Sequence, residues 1–273
     1  MTNPSDGYLL SDSASELERL RLQARVWEPE AEAMLDQIGV QSGSRALDLG
    51  CGAMGILGPL SRRVGPSGQV VGVDLDAKQL EAARAFVLDE GLTNVQILER
   101  DAYKTELPRD SFDLVHVRFV FAPVGRDDEL LAETLALTRP GGIITIEEPD
   151  ATPWNCFPPR PAWDRLKGAI LAAFVQGGGD FNAGQRTYGM LRRAKLEDVQ
   201  MRAGVIALQD RHPYMRLPIQ FATSLRQRII GTGLLAEAEL DELLKECEQI
   251  AQDPDTFVTT FVVTQVWGRK PSQ

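Results

Sequence analysis

Eleven residues, Arg45-Ala-Leu-Asp-Leu-Gly-Cys-Gly-Ala-Met-Gly55, hold the densest chemistry in the chain. A short apolar run turns on closely spaced glycines, Gly50-x-Gly52-x-x-Gly55, and leads into a segment of helical pattern from Ile56. Glycines in a strand–turn–helix unit leave bare backbone against which a nucleotide-like ligand can lie. The spacing alone matches the dinucleotide fingerprint as well as other nucleotide sites. Two carboxylates narrow it: Asp48, two residues before the first glycine, and Asp74, at the end of the next predicted strand. A carboxylate at Asp74 offers lone pairs in one plane and can accept from both hydroxyls of a ribose. Negative charge at Asp48 would repel a phosphate but suits an ammonium group, directly or through water. Further candidates are Asp101-Ala102, Arg118, and the only two histidines, His116 and His212, as general bases.

These groups need strands to place them. Alternating apolar runs and helical patterns predict strands at 44–49, 69–73, 95–98, 112–117 and 143–146, with helices at 56–64, 77–89 and 127–137. Such repetition specifies an α/β fold with a doubly wound parallel sheet, and Asp48, Asp74, Asp101, Arg118 and Glu147/Glu148/Asp150 fall where strands end. Before the sheet, a helix ending at Val26 is broken by Trp27-Glu28-Pro29, and a second helix covers 30–38. After it, the proline-rich stretch 152–161 reads as a loop. Helices are expected at 163–176, 184–194, 213–230 and 236–251, a β-like stretch at 199–207 and a last strand at 256–267. The chain thus divides into an N-terminal helical segment (1–40), a ligand-binding core (41–150), a helical cap with a sixth strand (151–252) and a last strand (253–273).

The 273 residues are 43% hydrophobic and 25% charged, with net charge −10 and pI near 4.9. No basic run supplies the footprint that nucleic acid requires. No segment approaches the apolar length of a membrane span. Cys51, Cys156 and Cys247 show no metal spacing and cannot all pair, which favours a reducing cytoplasm.

Leu47-Asp48-Leu49-Gly50-Cys51-Gly52, with acidic Asp74 and Pro140-Gly141-Gly142, resembles class I S-adenosylmethionine-dependent methyltransferases of the UbiE-like, small-molecule branch. The third glycine, Gly55, falls one position later than the family's commonest spacing. The resemblance implies a seven-stranded, mostly parallel Rossmann-like sheet, with the sixth and seventh strands antiparallel. It implies S-adenosyl-L-methionine as cofactor, leaving as S-adenosyl-L-homocysteine, and a small-molecule acceptor methylated at oxygen, nitrogen or carbon. Cofactor contacts are implied for Gly50, Cys51, Gly52, Gly55, Asp74, Leu75, Gln79, Asp101, Ala102 and Arg118, with Asp48 at the amino group. Tyr8 and Gln23 of the segment Tyr8…Glu16-Leu-Glu-Arg19…Gln23 would close over the cofactor or simply dock the first helix.

Several roles stay open. Arg118 can pair with Glu147, Glu148 or Asp150 to shape the pocket, or one of those carboxylates can orient the acceptor. His116 reads as a sheet histidine or a base, and His212 as a cap loop residue or a base. Trp154, Phe157, Trp163, Phe181 and Tyr188 could enclose a flat acceptor or simply fill the core. A monomer or homodimer without nucleic-acid or membrane partners is expected. The rivals are an NAD(P)-dependent Rossmann oxidoreductase and a non-catalytic cofactor-binding protein.

Overall fold

The computed structural model describes residues 14–272. The elements in chain order are α1 (Ala14–Ile38), β1 (Arg45–Leu49), α2 (Leu57–Val64), β2 (Gln69–Asp74), α3 (Ala77–Asp89), β3 (Val95–Glu99) and β4 (Phe112–Arg118). Then come α4 (Phe121–Val124), α5 (Asp127–Leu137), β5 (Thr138–Asp150), β6 (Cys156–Phe157), α6 (Pro161–Gln176), α7 (Gly184–Arg193), β7 (Glu197–Gly204) and β8 (Ala207–Leu208). A 3-10 turn (Pro213–Arg216) precedes α8 (Leu217–Ser224), α9 (Arg226–Gly231), α10 (Glu237–Gln252), β9 (Phe257–Thr259) and β10 (Val262–Arg269).

Seven strands form one sheet in the order β3-β2-β1-β4-β5-β10-β7. β1 to β5 are mutually parallel where they pair, and β10 runs antiparallel to both β5 and β7. The order reverses between β1 and β4, so the crevice beyond their carboxyl ends is the ligand position in a doubly wound sheet. Central strands read as apolar runs because helices cover both faces: Leu47, Leu49, Val71, Val73, Val115, Val117, Ile144 and Ile146 are all buried. On the other face Ala31, Met34 and Leu35 of α1 pack with Leu57, Leu60 and Leu80. A third cluster, rich in Trp and Phe, joins α6, α8 and α10 to Trp27. α3 starts where Asp76 accepts from the Lys78 and Gln79 amides, both at 2.9 Å, which sets the helix directly after Asp74.

Four expectations are corrected. Pro29 does not break the first helix, because α1 runs through it. The missing amide costs about 3 kcal/mol, and the continuous helix seats Trp27, Ala31, Met34 and Leu35, all fully buried. Burial of large apolar side chains at ~1.5–3 kcal/mol each outweighs one lost bond. The 213–230 helix is three pieces, since Pro213 and Pro218 each occupy a first turn, where a missing amide is tolerated. The last strand is two: β9 joins a small sheet of order β6-β9-β8, and the chain crosses at Thr260-Phe261 into β10. The crossing drops Phe261 among Trp27, Trp154, Phe119 and Phe181. The loop 152–161 accordingly contains β6, paired with β9.

Candidate active site

The turn after β1 is organised by its own amides. Gly50 and Cys51 both donate to the Val73 carbonyl, at 2.9 and 2.8 Å. Gly52 donates to Asp74 Oδ2 at 2.9 Å, and Ile56 donates to Asp48 Oδ2 at 3.0 Å. A Cβ on Gly55, whose φ is +49°, would overlap the Asp48 carboxylate, so this late glycine is demanded by Asp48. Gly50, at φ +79°, faces Val120, whose Cγ2 would lie 2.5 Å from an added Cβ. The turn is thus pinned to β2 on one side and seated on Asp48 beneath.

Asp74 accepts three backbone N–H groups: Gly52 on Oδ2, and Leu75 and Asp76 on Oδ1 at 2.8 and 3.0 Å. Burial pushes its carboxyl up, against the pull of these donors. The carboxylate is half-buried at the mouth of the turn, with Leu75 beside it 45% exposed and Gln79 Oε1 close over Gly52. At the end of β3, Asp101 Oδ1 accepts from the Tyr103 amide at 2.9 Å, and Ala102 is half-buried. Cys51 is buried, and desolvation, with Asp48 and Asp74 nearby, pushes its thiol well up, away from the reactive thiolate.

Arg118 ends β4. One of its amino groups donates to the Gly55 carbonyl at 2.7 Å, while Nη1 is buried with no hydrogen-bond partner. Among the described residues it forms no ion pair with Glu147, Glu148 or Asp150, which corrects that expectation. Glu148 instead accepts the Val120, Phe121 and Ala122 amides at 2.8, 2.9 and 3.1 Å, bracing the turn after β4. Burial pushes the Glu148 carboxyl up to about 8, against those donors. Glu147 faces His116 and Gln265.

Burial bears on two further readings, the ammonium partner at Asp48 and the choice between sheet histidine and base at His116. Asp48 is 1% exposed with both oxygens engaged, so it anchors the turn instead of meeting an ammonium group. His116 is fully buried between Asp48 and Glu147 and cannot reach an acceptor. His212 is half-buried, and its Nδ1 accepts the Tyr214 amide at 3.2 Å, capping the 3-10 turn. Trp154, Trp163 and Phe181 are core, Phe157 stacks on Phe257, and Tyr188 is exposed. Tyr8 lies outside the described residues.

Gln23 does lie at a polar junction. Its Oε1 accepts from Arg19 at 2.8 Å and from the Tyr214 hydroxyl at 3.4 Å, and that hydroxyl accepts from Trp27 Nε1 at 3.1 Å. Tyr214, which no periodicity marks, ties the cap to α1, and 191 residues separate it from Gln23. Tyr103 directly follows Asp101-Ala102. Its hydroxyl is buried without a partner, and the Arg126 guanidinium lies 4.0 Å over its ring.

A glycine turn at the switch point of a doubly wound sheet, with an acid closing the second strand, defines a Rossmann-like protein with a nucleoside-type ligand site. Residues 40–176, half of the chain, match the model of the methyltransferase domain family, and the chain belongs to that family. The ubiquinone/menaquinone biosynthesis C-methyltransferase UbiE of Pseudomonas paraeruginosa is 38% identical over 111 residues, 40% of this chain and 43% of the relative. The chain therefore spans less than half the length of that curated relative. A S-adenosylmethionine-dependent methyltransferase from Aquifex aeolicus superposes with a TM-score of 0.53 at 22% identity, covering 73% of this chain and 93% of the other. Phosphoethanolamine N-methyltransferase 2 of Haemonchus contortus, in complex with phosphomonomethylethanolamine and S-adenosylhomocysteine, gives 0.52 at 20% identity, over 88% and 52%. Both share the fold.

Proposed function

We propose that this protein transfers a methyl group from S-adenosylmethionine to an oxygen, nitrogen or carbon atom of a small molecule. The carrying observation is where the turn's amides go. A pyrophosphate needs free N–H groups aimed at it, but those of Gly50, Cys51, Gly52 and Ile56 already donate to Val73, Asp74 and Asp48. Beside these spent amides lie glycine surface, an acidic mouth and a buried, unpartnered guanidinium nitrogen on Arg118. That combination fits a ligand with a ribose, no phosphate and a carboxylate.

Asp74 would hold the ribose, Asp101 and Ala102 the adenine edge, and Leu75 and Gln79 its face. Arg118 Nη1 would take the carboxylate, with Gln23 and Arg19 of α1 above it. When bound, the cofactor supplies an electrophilic methyl on a sulfonium, passed to a nucleophile by in-line displacement. This chain's task is alignment and exclusion of water, which can supply much of the acceleration without an obligatory base. We assign acceptor recognition to the cap, residues 151–252, where Tyr214 and Phe221 meet α1. The names of the UbiE relative and of the Haemonchus complex support a small acceptor. Three free, buried cysteines and the absence of a membrane-crossing helix among the described residues support a cytoplasmic setting. The net charge of −10 supports a partner other than nucleic acid.

The test is incubation with labelled S-adenosylmethionine and a small-molecule extract, read by mass spectrometry. A product one methylene heavier, formed with S-adenosylhomocysteine, is expected. Hydride transfer with NADH and no methylated product would overturn the reading.

A further inference from the structure

We propose that His116, held as an imidazolium between Asp48 and Glu147, is a positioning residue that locks the glycine turn, so that cofactor affinity is lost when this one proton leaves. The proposal rests on the cofactor reading above and adds a charge requirement to it. His116 Nδ1 lies 2.7 Å from Asp48 Oδ1, and Nε2 lies 2.8 Å from Glu147 Oε1. A neutral imidazole has one N–H and one lone pair, whereas an ionised carboxylate only accepts. Only the doubly protonated ring can donate to both. Ring and carboxylates are 0–1% exposed, so bulk water cannot substitute for either bond. Two such carboxylates without a counter-ion would be strongly destabilising.

The partners' second oxygens give the ring its reach. Asp48 Oδ2 accepts the Ile56 amide, next to Gly55, whose carbonyl holds Arg118. Glu147 Oε2 accepts from Gln265 at 2.6 Å, and Gln265 Oε1 accepts from Arg202, which pairs with Glu30 of α1 at 2.7 Å. One polar chain, buried as far as Gln265 and half-buried at Arg202 and Glu30, therefore runs from the glycine turn through His116 to α1.

The charged groups facing the ring are Asp48 from β1 and Glu147 from β5. On its own strand Arg118 acts on Glu147, and β10 contributes the neutral Gln265. Burial alone would pull the His116 pKa down, but the two carboxylates reverse this and the net shift is upward. A histidine with a raised folded pKa contributes fully below its ordinary value and loses that contribution as pH rises through the folded one. The loss is therefore alkaline. Once the proton leaves, a ring lone pair faces a carboxylate oxygen within 3 Å, and the repulsion loosens the seat that Asp48 gives the turn.

Two measurements test this. With two histidines in the chain, spectra of the protein labelled with nitrogen-15 histidine, assigned with His212→Asn, should show both His116 ring nitrogens protonated at neutral pH. Calorimetric titration of S-adenosylhomocysteine should give a dissociation constant that is flat near neutrality and rises at alkaline pH. In Glu147→Gln, with one carboxylate removed, that rise should move by about one pH unit or more toward neutrality. The ligand's own ammonium titrates alike in both proteins, so movement of the limb is the decisive quantity. His116→Asn should bind at least tenfold more weakly at neutral pH; if it fails to fold, the spectra and Glu147→Gln still decide. A neutral His116 at pH 7, or an unmoved limb, would overturn the proposal. Wild-type protein that binds no S-adenosylhomocysteine at any pH would instead sink the cofactor reading and the coupling with it, and the histidine spectrum separates the two outcomes.

Discussion

Asp74 accepts three backbone amides and is a structural staple of the turn; the proposed function adds a ribose to its partners. Asp74→Ala should weaken S-adenosylhomocysteine binding roughly 10–100-fold, the scale of a charged hydrogen bond worth ~1.5–3 kcal/mol. Titration calorimetry checks this, and an unchanged dissociation constant would place the ribose elsewhere. Gly55 is constrained twice, by its φ of +49° and by the Asp48 oxygen that an added Cβ would overlap. Gly55→Ala should cost at least ~1–3 kcal/mol, seen as a lower Tm together with weaker cofactor binding. At this scale the sequence showed residue types and not partners. Asp48 was legible as charge beside a glycine turn, but its ring partner His116 sits 68 residues further on, so its role as a buried anchor was not. Gly55 read as a late glycine until the Asp48 oxygen beneath it explained the position.

Elements were legible where periodicity and punctuation agreed. α3 and α5 run over the expected residues because Asp76 caps one and Asp127, Asp128 and Glu129 open the other. Central strands were plain as apolar runs, since both of their faces are covered. What failed were segments whose fate is decided by distant packing: Pro29 inside α1, held by Trp27 and Met34, and the break at Phe261, held by the aromatic cluster. The same logic yields a stabilising change. Gly168 lies exposed within α6, and an added Cβ would meet nothing within 4 Å. Gly168→Ala should raise stability by up to ~1 kcal/mol, since glycine is that much poorer in a helix. Thermal denaturation should show a higher Tm; a fall would mean that α6 needs the glycine for a contact made outside this fold.

Across the molecule, charge sets the pH range in which the fold holds. Glu133 is buried and accepts from the Thr105 amide and hydroxyl at 2.9 and 2.6 Å and from Arg109 at 2.7 Å. Burial raises its carboxyl, but these donors outweigh it and the net shift is downward. A depressed folded pKa contributes stability above the ordinary carboxylate value and loses it as pH falls through the folded one. Glu133→Gln should therefore lower Tm at neutral pH, and the gap to wild type should close in acid; a gap independent of pH would show that the charge is irrelevant. The doubly wound sheet, the amides spent inside the glycine turn and the unpartnered nitrogen of Arg118 all favour one ligand, a nucleoside with an amino-acid tail and no phosphate. Calorimetric titration of the wild-type protein with S-adenosylhomocysteine and, separately, with NADH tests that most directly. Saturable, one-to-one heat with S-adenosylhomocysteine and none with NADH is predicted, and the reverse pattern would contradict it.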